Sequence, residues 1–126
     1  MKFDMCVPIL GFENVKEVTL EKIDDTLMIM KPTNEENISF ALIDPFILRN
    51  YDFEAPDDIQ KLLEITDKSN IIVLNIVLIQ SPIEESLVNF AGPFIFNTDT
   101  NKAAQVILSH SPEYGVAEKI SSFLNK

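Results

Sequence analysis

The chain has one histidine, His110, standing between Ser109 and Ser111, and one cysteine, Cys6, near its start. A nucleophile–base pair would have to join His110 to one of these groups. Adjacent residues on a strand point to opposite faces, so neither neighbouring serine is well placed for that pairing. No G-x-S-x-G elbow occurs, and the three glycines, Gly11, Gly92 and Gly115, are too dispersed to form a phosphate-cradling loop. Metal centres need converging histidine, cysteine and carboxylate ligands. The acidic pairs Asp24-Asp25 and Asp57-Asp58 lack the spacing and the glycine of a calcium loop, and read as solvated carboxylates at a turn and a helix start. Cys6, between Met5 and Val7, reads as a buried, unreactive thiol. The expectation is a protein without catalytic residues, metal or cofactor. An enzyme would instead require titratable groups gathered in a cleft around His110.

Charge is more informative. Twenty acidic residues oppose ten basic ones, for a formal net charge of −10, and Arg49 is the single arginine. Nucleic-acid binding requires clustered cations that displace counterions from phosphates, and this chain has no such cluster. RNA, DNA and anionic membrane surfaces are therefore disfavoured as partners. A basic protein would be steered toward this surface, and would associate more slowly as salt rises. No apolar run reaches the ~18 residues of a membrane span. The start of the chain also lacks the apolar region and cleavage site of a secretory signal, so a cytoplasmic protein is expected. At 126 residues, the chain is expected to form one domain over residues 1–126, and a monomer.

Three stretches place polar residues against apolar surroundings. The first is Pro8-Ile9-Leu10-Gly11-Phe12-Glu13, a strand–turn unit with Phe12 as an anchor. The second joins Asp44-Pro45-Phe46 to Tyr51-Asp52, where proline ends a strand. The third is Leu87 to Asn97, in which Gly92-Pro93 should sit at a bulge or edge, outside a central ladder. Asn89 and Asn97 there can bind backbone groups where that ladder breaks.

Short alternating runs must position these stretches. Strands are expected over Lys2–Leu10, Val15–Ile23, Leu27–Met30, Ile38–Ile43, Ile71–Ile79 and Ala104–Leu108, with Phe46–Phe53 extending an edge. Val18 and Leu20 should share one face. Asn75, inside an apolar β-branched run, needs hydrogen-bond partners if it is buried. Asp57–Ile65 reads as a short helix opened by proline and acidic residues. Val116, Ile120, Phe123 and Leu124 recur at helical spacing and predict an amphipathic C-terminal helix. The fold class expected is mainly β: a small, partly open antiparallel β-barrel with two or three short helices, including the C-terminal one.

Taken together, the three stretches resemble the flagellar assembly factor FliW family, in order from Pro8 to about Leu108. The family's early P-G-F-E is matched by Leu10-Gly11-Phe12-Glu13, with leucine in place of proline. Its central DP-F…DY is matched by Asp44-Pro45-Phe46 and Tyr51-Asp52. Its N-L-x-A-P-I-x-I-N is matched by Asn89-Phe90-Ala91-Gly92-Pro93-Phe94-Ile95-Phe96-Asn97, with Gly92 in place of alanine. A following Q-V-I-L is matched by Gln105-Val106-Ile107-Leu108. The resemblance implies a non-enzymatic protein that binds flagellin in the cytoplasm. When free of flagellin, such a protein binds the regulator CsrA, a small basic mRNA-binding dimer, and relieves repression of flagellin mRNA. It also implies that Asp44, Pro45, Tyr51, Asp52, Asn89, Phe90, Pro93 and Asn97 shape a protein-binding surface. Acidic loops such as Glu35-Glu36, Asp57-Asp58 and Glu84-Glu85 are expected to meet CsrA, and an apolar groove to meet flagellin. The alternative is a barrel that holds a small apolar ligand in a cavity lined by Phe40, Phe94 and Ile76.

Overall fold

The computed structural model describes residues 1–35, 37–108 and 113–124. Ser109, His110, Ser111 and Glu36, singled out above, lie outside them. Among the described residues nine strands form: β1 (Lys2–Met5), β2 (Glu17–Lys22), β3 (Leu27–Pro32), β4 (Phe40–Ile43), β5 (Ile71–Leu78), β6 (Leu87–Val88), β7 (Phe94–Asn97), β8 (Lys102–Gln105) and β9 (Glu118–Lys119). Two α-helices accompany them, α1 (Asp57–Leu62) and α2 (Ser121–Leu124), with 3-10 turns at Pro45–Ile47 and Ile83–Glu85.

Seven strands run in the order β4-β3-β2-β1-β8-β7-β5, and β4 then pairs with β5. The barrel is therefore closed, where a partly open one was expected. The reason is the length of β5. Ile71 to Leu74 pair with β7, leaving Asn75 and Ile76 to pair with β4 and Val77 and Leu78 with β6. The pairings are antiparallel except that of β1 with β8, which is parallel. From the end of β5 a small annex, β5-β6-β9, turns off the barrel wall.

The period of two in each strand divides the side chains between two cores. Phe3, Val18, Leu20, Met30, Leu42, Leu74, Phe94 and Phe96 point inward and fill the barrel. Val18 and Leu20 share this face, as their alternation predicts. Phe12 joins from the Ile9–Phe12 turn, its ring edge-on to Phe40 at 5.0 Å, while Gly11 takes a positive φ of 87°. The alternate residues Ile43 and Val77 face outward into a second core with Tyr51, Val88, Phe90, Tyr114 and Ile120. A third, smaller cluster seats Ile59 and Leu63 of the α1 segment on Ile95 and Ala104.

Two sequence expectations are corrected. Phe46–Phe53 does not extend an edge strand. Instead Asp44 caps a 3-10 turn, its carboxylate accepting from the Phe46 N–H at 2.9 Å, and the chain peels away from the barrel. The C-terminal amphipathic helix shrinks to α2, because Glu118 and Lys119 are drawn into pairing with Val88 and Leu87. Val116 is consequently left exposed, outside any helix. Tertiary pairing outweighs the weak local helical signal.

The filled interior makes a direct prediction. Phe96 is fully buried, packed edge-on against Phe3 at 5.0 Å. Phe96→Ala should lower unfolding stability by about 3–5 kcal/mol in urea titration. A loss under about 1 kcal/mol would mean that the barrel can collapse around the gap.

Candidate functional site

The outer core brings most of the singled-out residues together. The chain leaving the Pro45–Ile47 turn lays Tyr51 against the barrel wall, among the rings of Phe53, Phe90 and Tyr114 at centroid distances of 5.4, 5.5 and 4.8 Å. Buried polar groups must find partners, and here they form one directed chain. Asn75 Nδ2 donates to the Tyr51 hydroxyl at 3.0 Å and to the Asn89 carbonyl at 2.9 Å. The Tyr51 hydroxyl donates in turn to the Phe90 carbonyl. The two carbonyls can only accept, so the orientation of the Asn75 amide is fixed. Its Oδ1 has no partner among the described residues. Burial pushes the Tyr51 phenol up from an ordinary 10.0 to about 12, despite the Asn75 hydrogen bond that favours its charged form.

Asn89 closes the next link, its Oδ1 accepting from the Ala91 N–H at 3.0 Å across the broken ladder. Gly92-Pro93 lies between β6 and β7, outside a central ladder, with both residues buried. A Cβ on Gly92 would come within 2.8 Å of Gln105 Nε2, so alanine there requires the flexible end of Gln105 to shift. Asp52 contributes its backbone: its N–H donates to the Tyr114 hydroxyl at 2.9 Å, and its carbonyl accepts from that hydroxyl at 2.8 Å.

Asn97 stands apart. Its Nδ2 donates to the Leu63 carbonyl at 2.8 Å, and Thr100 Oγ1 binds the same oxygen at 3.0 Å. Together they hold the end of α1, where Glu64 takes a left-handed φ of 57°. Asn97 therefore secures a helix end on the third cluster and is separate from the Tyr51 group. Cys6 is half-buried rather than buried, its Sγ 3.8 Å from the Leu62 carbonyl, and burial raises its pKa.

Arg49 is a residue that sequence reasoning missed. Its guanidinium carbon lies 5.0, 4.9 and 5.2 Å from the ring centroids of Phe90, Tyr114 and Phe123. Its Nη1 pairs with Glu118 at 3.3 Å, and Glu118 also accepts from the Gly115 N–H at 2.6 Å. Cation–π contacts of this kind are each worth about 0.5–2 kcal/mol. The only arginine thus clasps the C-terminal segment to the barrel. The signal available in sequence was its isolation within an acidic chain.

Beside this clasp lies an open apolar cleft of about 220 Å³, lined by residues that include Ile43, Ile47, Leu48, Ile79, Ile83, Ile120 and Leu124. Its polar lining comprises Thr26 and Glu84. A neighbouring cleft shares Thr26 and adds Asp24, Asp25 and Asp44. The Asp24 carboxyl is held below the usual carboxylate range by the Thr26 and Leu27 N–H groups, both at 2.8 Å. Inside the barrel, by contrast, Phe94 is fully buried and stacked on Phe96 in the position where a ligand cavity was considered. Among the described residues, no group of three or more His, Cys, Asp or Glu could hold a metal ion.

With this geometry established, comparisons with known proteins converge. A family model described as "FliW protein" matches residues 2–120. A curated protein of Sulfurimonas denitrificans, "Flagellar assembly factor FliW", is 70% identical over 126 residues, covering 100% of both chains. "Flagellar assembly factor FliW 2" of Wolinella succinogenes is 48% identical over 99% of this chain and 93% of its own. A crystal structure of the flagellar assembly factor FliW superposes with a TM-score of 0.88 over 94% of this chain and 84% of that one. At 22% identity, that match shows the fold.

Tyr51→Phe removes a hydroxyl and leaves the Phe90 carbonyl short of its donor, so stability should fall by about 1–3 kcal/mol. The raised phenol also fixes a sign. A group whose folded pKa lies above its unfolded one stabilises the fold fully below pH 10 and loses that contribution as pH rises toward about 12. Urea midpoints measured from pH 9 to 12 should fall for the parent and fall less steeply for Tyr51→Phe. Parallel curves would show that Tyr51 does not titrate with unfolding.

Proposed function

Because the chain belongs to the FliW family, we propose that it is a flagellar assembly factor that works by docking onto other proteins. Its partners on this reading are flagellin in the cytoplasm and, when flagellin is absent, the translational regulator CsrA. Occupying CsrA would relieve repression of flagellin mRNA without this chain touching RNA. It acts as a non-enzymatic monomer.

The observation that carries the reading is an exposed apolar cleft set in a chain of net charge −10. Apolar side chains gathered around an open cleft mark contact with a partner more often than they serve stability. The acidity suits a cationic RNA-binding protein and repels the RNA itself. Tyr51, Asn89 and Phe90 serve by shaping the wall behind that cleft, Pro45 by opening the turn that carries Ile47 into it and Pro93 by breaking the ladder after Phe90, and the Asp52 backbone ties Tyr114 into that wall. Asp44 borders the neighbouring cleft, and Asn97 steadies α1 on the far cluster. Of the acidic loops, Asp57 and Asp58 open α1 on the exposed surface, while Glu85 is held by Lys119 at 3.4 Å.

Capture of purified CsrA by the immobilised chain should succeed at low salt and weaken progressively as salt is raised. Flagellin should co-purify with the chain and compete CsrA away in the mixture. Salt-insensitive capture of CsrA would refute its electrostatic basis, and failure to hold either protein would refute the reading as a whole.

A further inference from the structure

The closed barrel keeps one length of strand edge unpartnered. In an antiparallel pair the N–H and C=O of a residue face the same neighbour, and successive residues alternate. The Asn70 and Ile76 carbonyls accept from the Thr98 and Asn89 N–H groups, both at 3.0 Å, so even-numbered positions along β5 bond toward β7 and β6. The odd-numbered Ile71, Val73 and Asn75 therefore face β4. Asn75 meets Ile43 there, and the ladder stops. The position opposite Val73 falls to Pro45, which has no N–H and opens the 3-10 turn that carries the chain away. The Pro45 carbonyl is already taken by the Leu48 and Arg49 N–H groups, at 3.1 and 3.2 Å, and Asp44 bonds to Thr26 instead, at 3.4 Å. Among the described residues, the N–H and C=O groups of Ile71 and Val73 are left without a ladder partner on this side. A cleft of about 150 Å³ lies at the gap, lined by Thr26 and Asp44 from one side and by Ile72 and Leu74 of β5 from the other.

We propose that this edge takes up an extended, cationic segment of another protein as an added β-strand. The inference goes beyond the docking function above, because it assigns a separate site whose lining shares only Thr26 with the apolar cleft. Unpaired groups at every second residue of a strand are matched by another strand, whose donors and acceptors recur at the same spacing.

Charge selects the side chains of that strand. Those pointing inward meet the apolar Met28, Ile72 and Leu74 and the carboxylates Asp24, Asp25 and Asp44. Lysine or arginine suits both, laying its stem on the apolar residues and its charge against the acids. Lys22, the cation of that lining among the described residues, is engaged with Asp25 at 3.4 Å. The same carboxylates guard the edge against a second copy of this chain, whose own acids would face them.

The premise is read first by hydrogen exchange of the free chain. Amides of Ile71 and Val73 should exchange at least about tenfold faster than those of Ile72 and Leu74 in the same strand. The probe for binding is a fluorescently labelled peptide of about eight residues, alternating threonine and valine around a central lysine. Anisotropy should show saturable binding, and the peptide should slow exchange at Ile71 and Val73. Methylating the alternate peptide nitrogens that face β5 should weaken binding about tenfold, and methylating the other set should not. Val73→Pro removes an N–H that makes no ladder bond, so the fold should survive while affinity falls about tenfold. If that variant does not fold, Asp25→Lys, at a side chain 98% exposed, should weaken the lysine peptide severalfold and favour a glutamate-centred one. Ile83→Glu, in the apolar cleft, should leave peptide binding unchanged. The assignment is overturned if Val73 is as protected as Leu74 in the free chain, if the peptide does not bind, or if Ile83→Glu abolishes its binding. Equal affinity for both methylated peptides, or for the folded variants and the parent, would also overturn it. Sedimentation showing a dimer that Val73→Pro abolishes would overturn it in favour of a second copy. A chain that binds the peptide but captures neither flagellin nor CsrA keeps this site and loses the proposed function, and the reverse result removes the site alone.

Discussion

The buried amide N–H groups of an asparagine on a barrel wall must find acceptors, and meeting that demand organises the outer half of this molecule. Asn75 sits in the middle of β5, in a run of apolar residues, with its side chain turned away from the barrel interior. Its amide reaches the Tyr51 hydroxyl and the Asn89 carbonyl, and Tyr51 passes the chain on to Phe90. Three segments far apart in sequence are thereby held in one register: the strand, the stretch beyond Pro45, and the loop at Gly92-Pro93. Leaving any one of these groups unpaired costs on the order of 1–3 kcal/mol. The position of the cleft follows from this, since Ile47 and Leu48 project from the stretch that Tyr51 anchors.

The distribution of charge gives the same architecture a direction. The chain's single arginine is withdrawn into a nest of three rings and a glutamate, and serves as an internal fastener. Several lysines on the surface are matched with acids, as Lys102 is with Glu64 at 2.9 Å and Lys31 with Glu21 at 3.6 Å. The excess acid remains on loops and turns, facing solvent. A scaffold arranged in this way has little to offer a phosphate backbone and much to offer a cationic protein.

What the sequence revealed and what it hid follow from the range of the interactions involved. Strand alternation around Val18 and Leu20 is local, and it placed both on the one inward face. The proline after Asp44 and the Gly92-Pro93 pair are local signals too, and both end ladders where they were expected to. Closure of the barrel was not legible, because it depends on β5 being long enough to pair with β7, β4 and β6 in turn. The parallel pairing of β1 with β8 leaves no local mark either. The C-terminal helix was overstated for a related reason: the Arg49–Glu118 contact joins residues 69 apart, and no periodicity reports it. At the candidate site, the sequence named Tyr51, Asn89 and Phe90 but not their common partner Asn75, whose need for partners was visible while their identity was not. Asn97 belonged to the same pattern of residues, yet folding assigns it to the end of α1.

The central claim is that a partner protein settles on the acid-rimmed apolar cleft backed by the Tyr51 group. Hydrogen exchange of the chain, alone and saturated with purified flagellin, tests it most directly. The account predicts slowed exchange at the amides of Phe46–Leu48, of Ile79, of Ile83–Glu85 and of Ile120–Leu124, with α1 and β8 unchanged. Protection confined to those other elements, or none at all, would contradict it.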